Sequence, residues 1–206
     1  FRTVITLAFD ANLTAPAYAG NVADQGYGLG YLVLPVGDYV IQLEGYAGGS
    51  GQYLLAMTCD TQSPTVAPTA APSAHFETVP IIGPIVCGNI MNDNSSDMGH
   101  YGGNGINGNG NTADAPDAFY SFSGADGTSV TFSSCGSSFD TFLRVLTPNT
   151  DPASQAEYSQ VLACDDCNHT SCDGSSFRTV ITLAFDANLT APAYNGSTND
   201  EYNQGY

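Results

Sequence analysis

Residues 31–59 read YLVLPVGDYVIQLEGYAGGSGQYLLAMTC. Three apolar runs, Tyr31–Leu34, Asp38–Tyr46 and Gln52–Cys59, are parted by Pro35-Val36-Gly37 and by Ala47-Gly48-Gly49-Ser50-Gly51. In an extended chain side chains alternate, so Tyr39, Ile41 and Leu43 share one face of the middle run, while Asp38, Val40, Gln42 and Glu44 share the other. The glycine-rich breaks supply the turns that separate them. Outward from this stretch the pattern recurs at Arg2–Phe9, Ala118–Phe122, Ser129–Ser133, Thr141–Leu146, Gln160–Ala163 and Arg178–Phe185. The nearest approach to a helix is one turn around Ala153–Glu157. Closely spaced strands without amphipathic helices predict an all-β chain folded as a two-sheet β-sandwich.

Upstream of that stretch, Phe1–Tyr18 (FRTVITLAFDANLTAPAY) recurs letter for letter at Phe177–Tyr194, and the copies meet again at Gln25-Gly26-Tyr27 and Gln204-Gly205-Tyr206. Downstream, Thr61–Pro80 is rich in Pro, Thr, Ser and Ala, with Pro64, Pro68 and Pro72 at four-residue spacing and Pro80 and Pro84 continuing it. Proline at that density removes backbone donors and fixes φ, which predicts an extended polyproline-II linker. The expected division is therefore residues 1–59 as the C-terminal part of one sandwich repeat, 60–86 as linker, and 87–206 as the N-terminal and central part of the next. Joined through the repeat, the two parts make a unit on the order of 150 residues, an ordinary domain size. Neither part covers its own apolar interior alone. A long tandem array, donation of strands to a neighbouring chain, or a permuted monomer folding back across its own linker would each complete the sandwich. The duplicated segment favours the array.

There are 20 acidic residues against three arginines, Arg2, Arg144 and Arg178, and no lysine, for a net charge of −17. Phosphate contacts need Lys and Arg, so nucleic acid and anionic membranes are excluded as partners. Charged residues are only 11% of the chain, too few for a disordered acidic tail. Five Asn-x-Ser/Thr sequons, at Asn12, Asn94, Asn168, Asn188 and Asn195, predict N-glycosylation. Within the linker Thr61, Ser63, Thr65, Thr69, Ser73 and Thr78 are expected O-glycosylation sites. Six cysteines, an even number, fit an oxidising, extracellular compartment, secreted or at the cell surface. No apolar run approaches the ~20 residues of a membrane span.

Phe119-Tyr120-Ser121-Phe122, Ser138-Phe139-Asp140-Thr141-Phe142-Leu143-Arg144-Val145, Ala163-Cys164-Asp165-Asp166, Gly37-Asp38-Tyr39 through Glu44-Gly45-Tyr46, and Ser50-Gly51-Gln52-Tyr53 together resemble a pre-peptidase C-terminal-type domain. In that family the last two blocks follow the others; here they come first, as a frame-shifted repeat requires. The resemblance implies a jelly-roll-like antiparallel β-sandwich that serves secreted proteins as an accessory adhesion or binding module.

Sites of chemistry are few. Gly103-Asn104-Gly105-Ile106-Asn107-Gly108 matches G-x-G-x-x-G but has neither the preceding strand nor the following helix that makes a phosphate cradle. His75 lies in the linker, His169 within a sequon, and His100 has no nucleophile or metal motif beside it, so no catalytic residue is expected and the chain is read as a non-enzyme. Cys164-x-x-Cys167 with Cys172 has zinc-like spacing, but Cys59, Cys87, Cys135, Cys164, Cys167 and Cys172 read better as disulfides. The expected pairs are Cys167–Cys172, Cys135–Cys164, and Cys87 with the Cys59 equivalent at the far end of one domain. Asp140, Asp165, Asp166 and Asp173 sit at strand ends, and Asp93, Ser95 and Asp97 alternate in a loop, so calcium is the candidate cation, although no cofactor is required. The expected function is a structural subunit of an extracellular glycoprotein filament or cell-surface appendage, its partners being copies of itself joined head to tail, with extracellular glycans as further partners. The alternatives are a secreted adhesin or carbohydrate- or protein-binding module, or the accessory domain of a secreted hydrolase. The absence of tryptophan weakens a sugar-stacking face.

Overall fold

The computed structural model describes residues 23–25, 31–60, 79–101, 106–107, 115–148, 158–167, 172 and 177–190. They form twelve strands: β1 Ala23–Gln25, β2 Tyr31–Pro35, β3 Gly37–Gly45, β4 Gln52–Cys59, β5 Ile81–Pro84, β6 Ile90–Asn94, β7 Ile106–Asn107, β8 Ala118–Gly124, β9 Ser129–Ser133, β10 Thr141–Pro148, β11 Tyr158–Asp165 and β12 Val180–Asp186. Two single 3-10 turns, Tyr46–Gly48 and Ser95–Asp97, follow β3 and β6. The first sheet runs β1-β11-β10-β3-β8-β5, with β7 also beside β11; the second runs β2-β12-β9-β4-β6. The all-β sandwich expected from the sequence is present.

Its sheets are mixed rather than wholly antiparallel. The inner pairings β11/β10, β10/β3, β3/β8, β12/β9, β9/β4 and β4/β6 are antiparallel. Parallel pairs occur where β1 and β7 meet β11, β5 meets β8, and β2 meets β12. These four strands lie at the margins and reach their partners through long connections, so no hairpin turn imposes an antiparallel course on them.

Both sheets depend on the segment 31–59. β3 lies between β10 and β8, and β4 between β9 and β6, so two strands N-terminal to residues 61–78 are inner strands, while the other inner strands of both sheets come from residues C-terminal to that stretch. Ile41, Leu43, Leu55, Phe132, Ile181 and Leu183 are fully buried between the sheets. Tyr53 on β4 and Tyr120 on β8 meet hydroxyl to hydroxyl at 2.6 Å, which satisfies two buried polar ends across the sandwich. Gly124 closes β8 against the Phe185 ring, where a Cβ would come within 2.1 Å of ring carbon, so only glycine fits.

The outer face of the first sheet is also covered. Val40, Phe119, Leu146 and Tyr158 form a second buried cluster with Val79, against which Ile81 and Tyr101 pack. Val79 and Ile85, at the described end of the proline-rich stretch, are therefore part of the sandwich; residues 61–78 lie outside the described residues, as do the first copy of the duplicated segment and the turn expected around Ala153–Glu157.

Three disulfides are present; two differ from the expected pairing, and the third joins Cys87 to Cys59 of this chain rather than to its equivalent in a following repeat. Cys164 bonds Cys167, Cys135 bonds Cys172, and Cys59 bonds Cys87 of the same chain. Asp166 takes a left-handed φ of 56°, which turns the chain sharply after β11. That turn brings the Cα of Cys167 to 5.8 Å from that of Cys164, within bonding reach, so Cys164 is taken locally and Cys135 is left for Cys172.

Candidate metal centre

Asp140, Asp165 and Asp166 converge at one end of the first sheet. The β10/β11 register places Phe142 opposite Asp165, so Asp140, just before β10, stands beside the last residues of β11. The Cys164–Cys167 bond closes the Cys-Asp-Asp-Cys turn and holds the two adjacent carboxylates there. Asp140 is fixed on its other side by its carbonyl, which accepts from the Tyr46 amide at 3.0 Å. One carboxylate oxygen from each of the three aspartates lies within 4.8 Å of the others.

This arrangement is electrostatically strained. Burial, followed by the charges of Asp166 and Asp140, raises the Asp165 carboxyl to about 7. Burial and Asp166 also raise Asp140, against the lowering effect of Arg178. Arg178 is directed elsewhere: its Nη1 donates to the carbonyls of Phe139 at 2.6 Å and Phe177 at 2.7 Å. The buried Oδ1 atoms of Asp140 and Asp165 accept no hydrogen bond among the described residues. Buried acceptors of one sign without donors are the donor set that a hard cation satisfies, and calcium takes six to eight oxygens from carboxylates, carbonyls and water. The three carboxylates fit calcium as part of such a shell. Asp173, the fourth expected ligand, lies outside the described residues.

In the other acidic loop, described groups are engaged locally. Asp93 ends in the β6 edge, where its Oδ1 accepts from the Asn94 amide at 2.8 Å, and the buried Ser95 hydroxyl is engaged by Gly51. Asn94 and Asn188, the two described sequon asparagines, are exposed. Asn12, Asn168 and Asn195, and Thr61, Ser63, Thr65, Thr69, Ser73 and Thr78, lie outside the described residues. His100 is exposed; of the Gly103–Gly108 motif only Ile106-Asn107 is described, as β7.

Sequence reasoning missed a buried polar network on the outer face of the first sheet. Arg144 of β10 donates through Nε and Nη2 to Glu44 Oε1 of β3, at 2.8 and 2.6 Å, and also to Gln160 of β11. Gln42 donates to Asp117 at 2.8 Å and to Glu44 at 3.2 Å, while Asp117 accepts from the Tyr101 amide at 2.6 Å. The guanidinium carbon lies 4.6 Å from the centre of the Phe142 ring. A lone arginine within the run TFLRVL, and two polar residues in VIQLEG, were the available signals.

No protein-family model matches the chain, and no curated protein sequence or solved structure does either. Among the described residues no helix is long and apolar enough to cross a membrane.

Proposed function

We propose that this chain is a structural subunit of an extracellular glycoprotein filament, whose neighbours join head to tail by sharing the strands of residues 31–59. The observation that carries this reading is the position of β3 and β4: two inner strands, one in each sheet, come from the far side of the proline-rich stretch, so the same segment can complete its own sandwich or a neighbour's. Sharing of this kind is heterologous and propagates in one direction, which produces an open fibre rather than a closed ring. Three disulfides, exposed sequons at Asn94 and Asn188, and the proline-threonine composition of 61–80 support an extracellular glycoprotein. Resemblance to pre-peptidase C-terminal-type domains belongs to the same reading and rests on sequence motifs alone. Electron microscopy of native material tests it: fibres with an axial repeat of one sandwich are expected, and a compact monomer that never elongates at any concentration overturns it.

The aspartate cluster takes a structural calcium ion in this reading, holding the ends of β10 and β11 together rather than serving a reaction. Calcium added to chelated protein is expected to raise the melting temperature at neutral pH by relieving the repulsion among Asp140, Asp165 and Asp166. Asp165→Asn should melt higher than the chelated parent and lose most of the calcium response. An equal calcium shift in parent and variant would remove the ion from this site.

A further inference from the structure

We propose that the slot between β2 and β9 accepts either of two occupants from one chain: Val180–Asp186, which fills it as β12, and the identical heptapeptide Val4–Asp10. The slot is defined by a parallel register with β2, in which Thr182 stands opposite Tyr31 and Asp186 opposite Pro35, and an antiparallel register with β9, in which Val180 stands opposite Ser133. Ile181, Leu183 and Phe185 project from it into the core and are 0%, 0% and 3% exposed. The flanks are equally engaged. Thr179 donates through its amide to Ser134 Oγ and through its hydroxyl to the Thr141 carbonyl, and Arg178 donates to the Phe139 carbonyl. The Val180 amide donates to the Cys167 carbonyl, and the Ala187 amide to Asp126.

Every residue from Phe177 to Thr190 that makes these contacts has an identical counterpart between Phe1 and Thr14. No side chain or backbone group of the slot can therefore tell the copies apart; only the connections differ. With Val4–Asp10 in place, Thr6 would stand opposite Tyr31 and Asp10 opposite Pro35, and Ala11–Gly30 would form the return to β2. A parallel crossover needs a dozen or more residues, which that return exceeds. One slot cannot hold two copies, so whichever docks leaves the other to be held elsewhere. This inference concerns a single chain in dilute solution and does not rest on filament formation.

Three variants of the full chain test it: Ile181→Asp with Leu183→Asp in the second copy, Ile5→Asp with Leu7→Asp in the first, and all four together. Both two-site variants are expected to fold as monomers and to melt within about 5 °C of the parent. The four-site variant is expected to lose its cooperative melt, because a charge has no partner between the sheets. In the second-copy variant, hydrogen exchange at the Val4–Asp10 amides should become slow. The proposal is overturned if the second-copy variant is as unfolded as the four-site variant, if it folds only as an oligomer, or if the four-site variant melts like its parent.

Discussion

Arg144 lies in a strand that is otherwise apolar, and its charge is met by Glu44 from the neighbouring strand with both side chains almost fully removed from water. Desolvating two ions offsets most of their attraction, so the pair adds little net stability while intact, but removing one partner strands the other. Glu44→Gln and Arg144→Met are each expected to lower unfolding free energy by about 3–5 kcal/mol in a denaturant titration, and the paired replacement to recover part of that loss. Asp117 completes the same network and supplies a pH signature. Burial raises its carboxyl above the usual range, and the hydrogen bonds from Tyr101, Gln42 and the Glu44 side do not fully counter it, nor does Arg144. A raised carboxyl binds its proton more tightly in the folded chain than in the unfolded one. Its contribution is thus fully present below about pH 4, the unfolded value, and declines as pH rises through the folded value. Asp117→Asn should flatten the fall in melting temperature between about pH 4 and neutrality; an unchanged slope would assign it to other groups.

Among the strands, those that pack apolar side chains on the core were legible, the edge strand β2 included, and the short or exposed marginal ones were not. Tyr31–Leu34, Asp38–Tyr46, Gln52–Cys59, Ala118–Phe122, Ser129–Ser133 and Thr141–Leu146 coincide with β2, β3, β4, β8, β9 and β10 to within a residue or two, because each packs apolar side chains on a continuous core. β5 (IIGP) and β6 (IMNDN) lack that imprint: among the described residues each has a single strand neighbour, and β6 is almost wholly exposed. Pro84 fits an edge strand, where a missing amide donor does no harm. At the candidate site, acidic residues at strand ends pointed to Asp140, Asp165 and Asp166. Alternation along β3 instead put Gln42 and Glu44 opposite the core, with nothing in the sequence to show that Val79, Tyr101 and Asp117 bury that face as well. The pairing of Cys164 hinged on a left-handed residue at Asp166, a backbone choice that spacing does not encode. Cys59–Cys87 is the bond that fastens β4 to the turn before β6, where the Gly88 amide also meets the Met57 carbonyl at 2.8 Å. Replacing both cysteines by serine should reduce stability by about 2–4 kcal/mol without altering the sheets, as read by unfolding in urea and by far-ultraviolet dichroism.

At the scale of the whole chain, the question is which molecule supplies β2–β4. In the structure the same chain does: β3 and β4 each have two strand neighbours, and the Cys59–Cys87 bond closes the loop containing residues 61–78. That bond is also a covalent record of exchange, since its two cysteines lie on opposite sides of the proline-rich stretch. If a chain completes its own sandwich, a non-reducing denaturing gel gives one band at the mass of a single chain. If neighbours exchange residues 31–59, Cys59 of one chain bonds Cys87 of the next, and the gel gives a ladder of multiples. A protease site inserted between Pro68 and Pro72 separates the cases further. Cleavage of a self-completed chain leaves the non-reduced band in place, because the disulfide still ties the halves; cleavage of an exchanged polymer collapses the ladder to the single-chain mass. Reduction then yields the same two fragments from both. The dilute chain is expected to give the single band before and after cleavage, to elute unchanged, and to melt within about 5 °C of the uncut protein, since the loop remains closed by the disulfide. Fibres are expected to give the ladder and its collapse. Fibres that gave only the single band would show every sandwich completed from within, and strand sharing would be the wrong account of how the chains hold together.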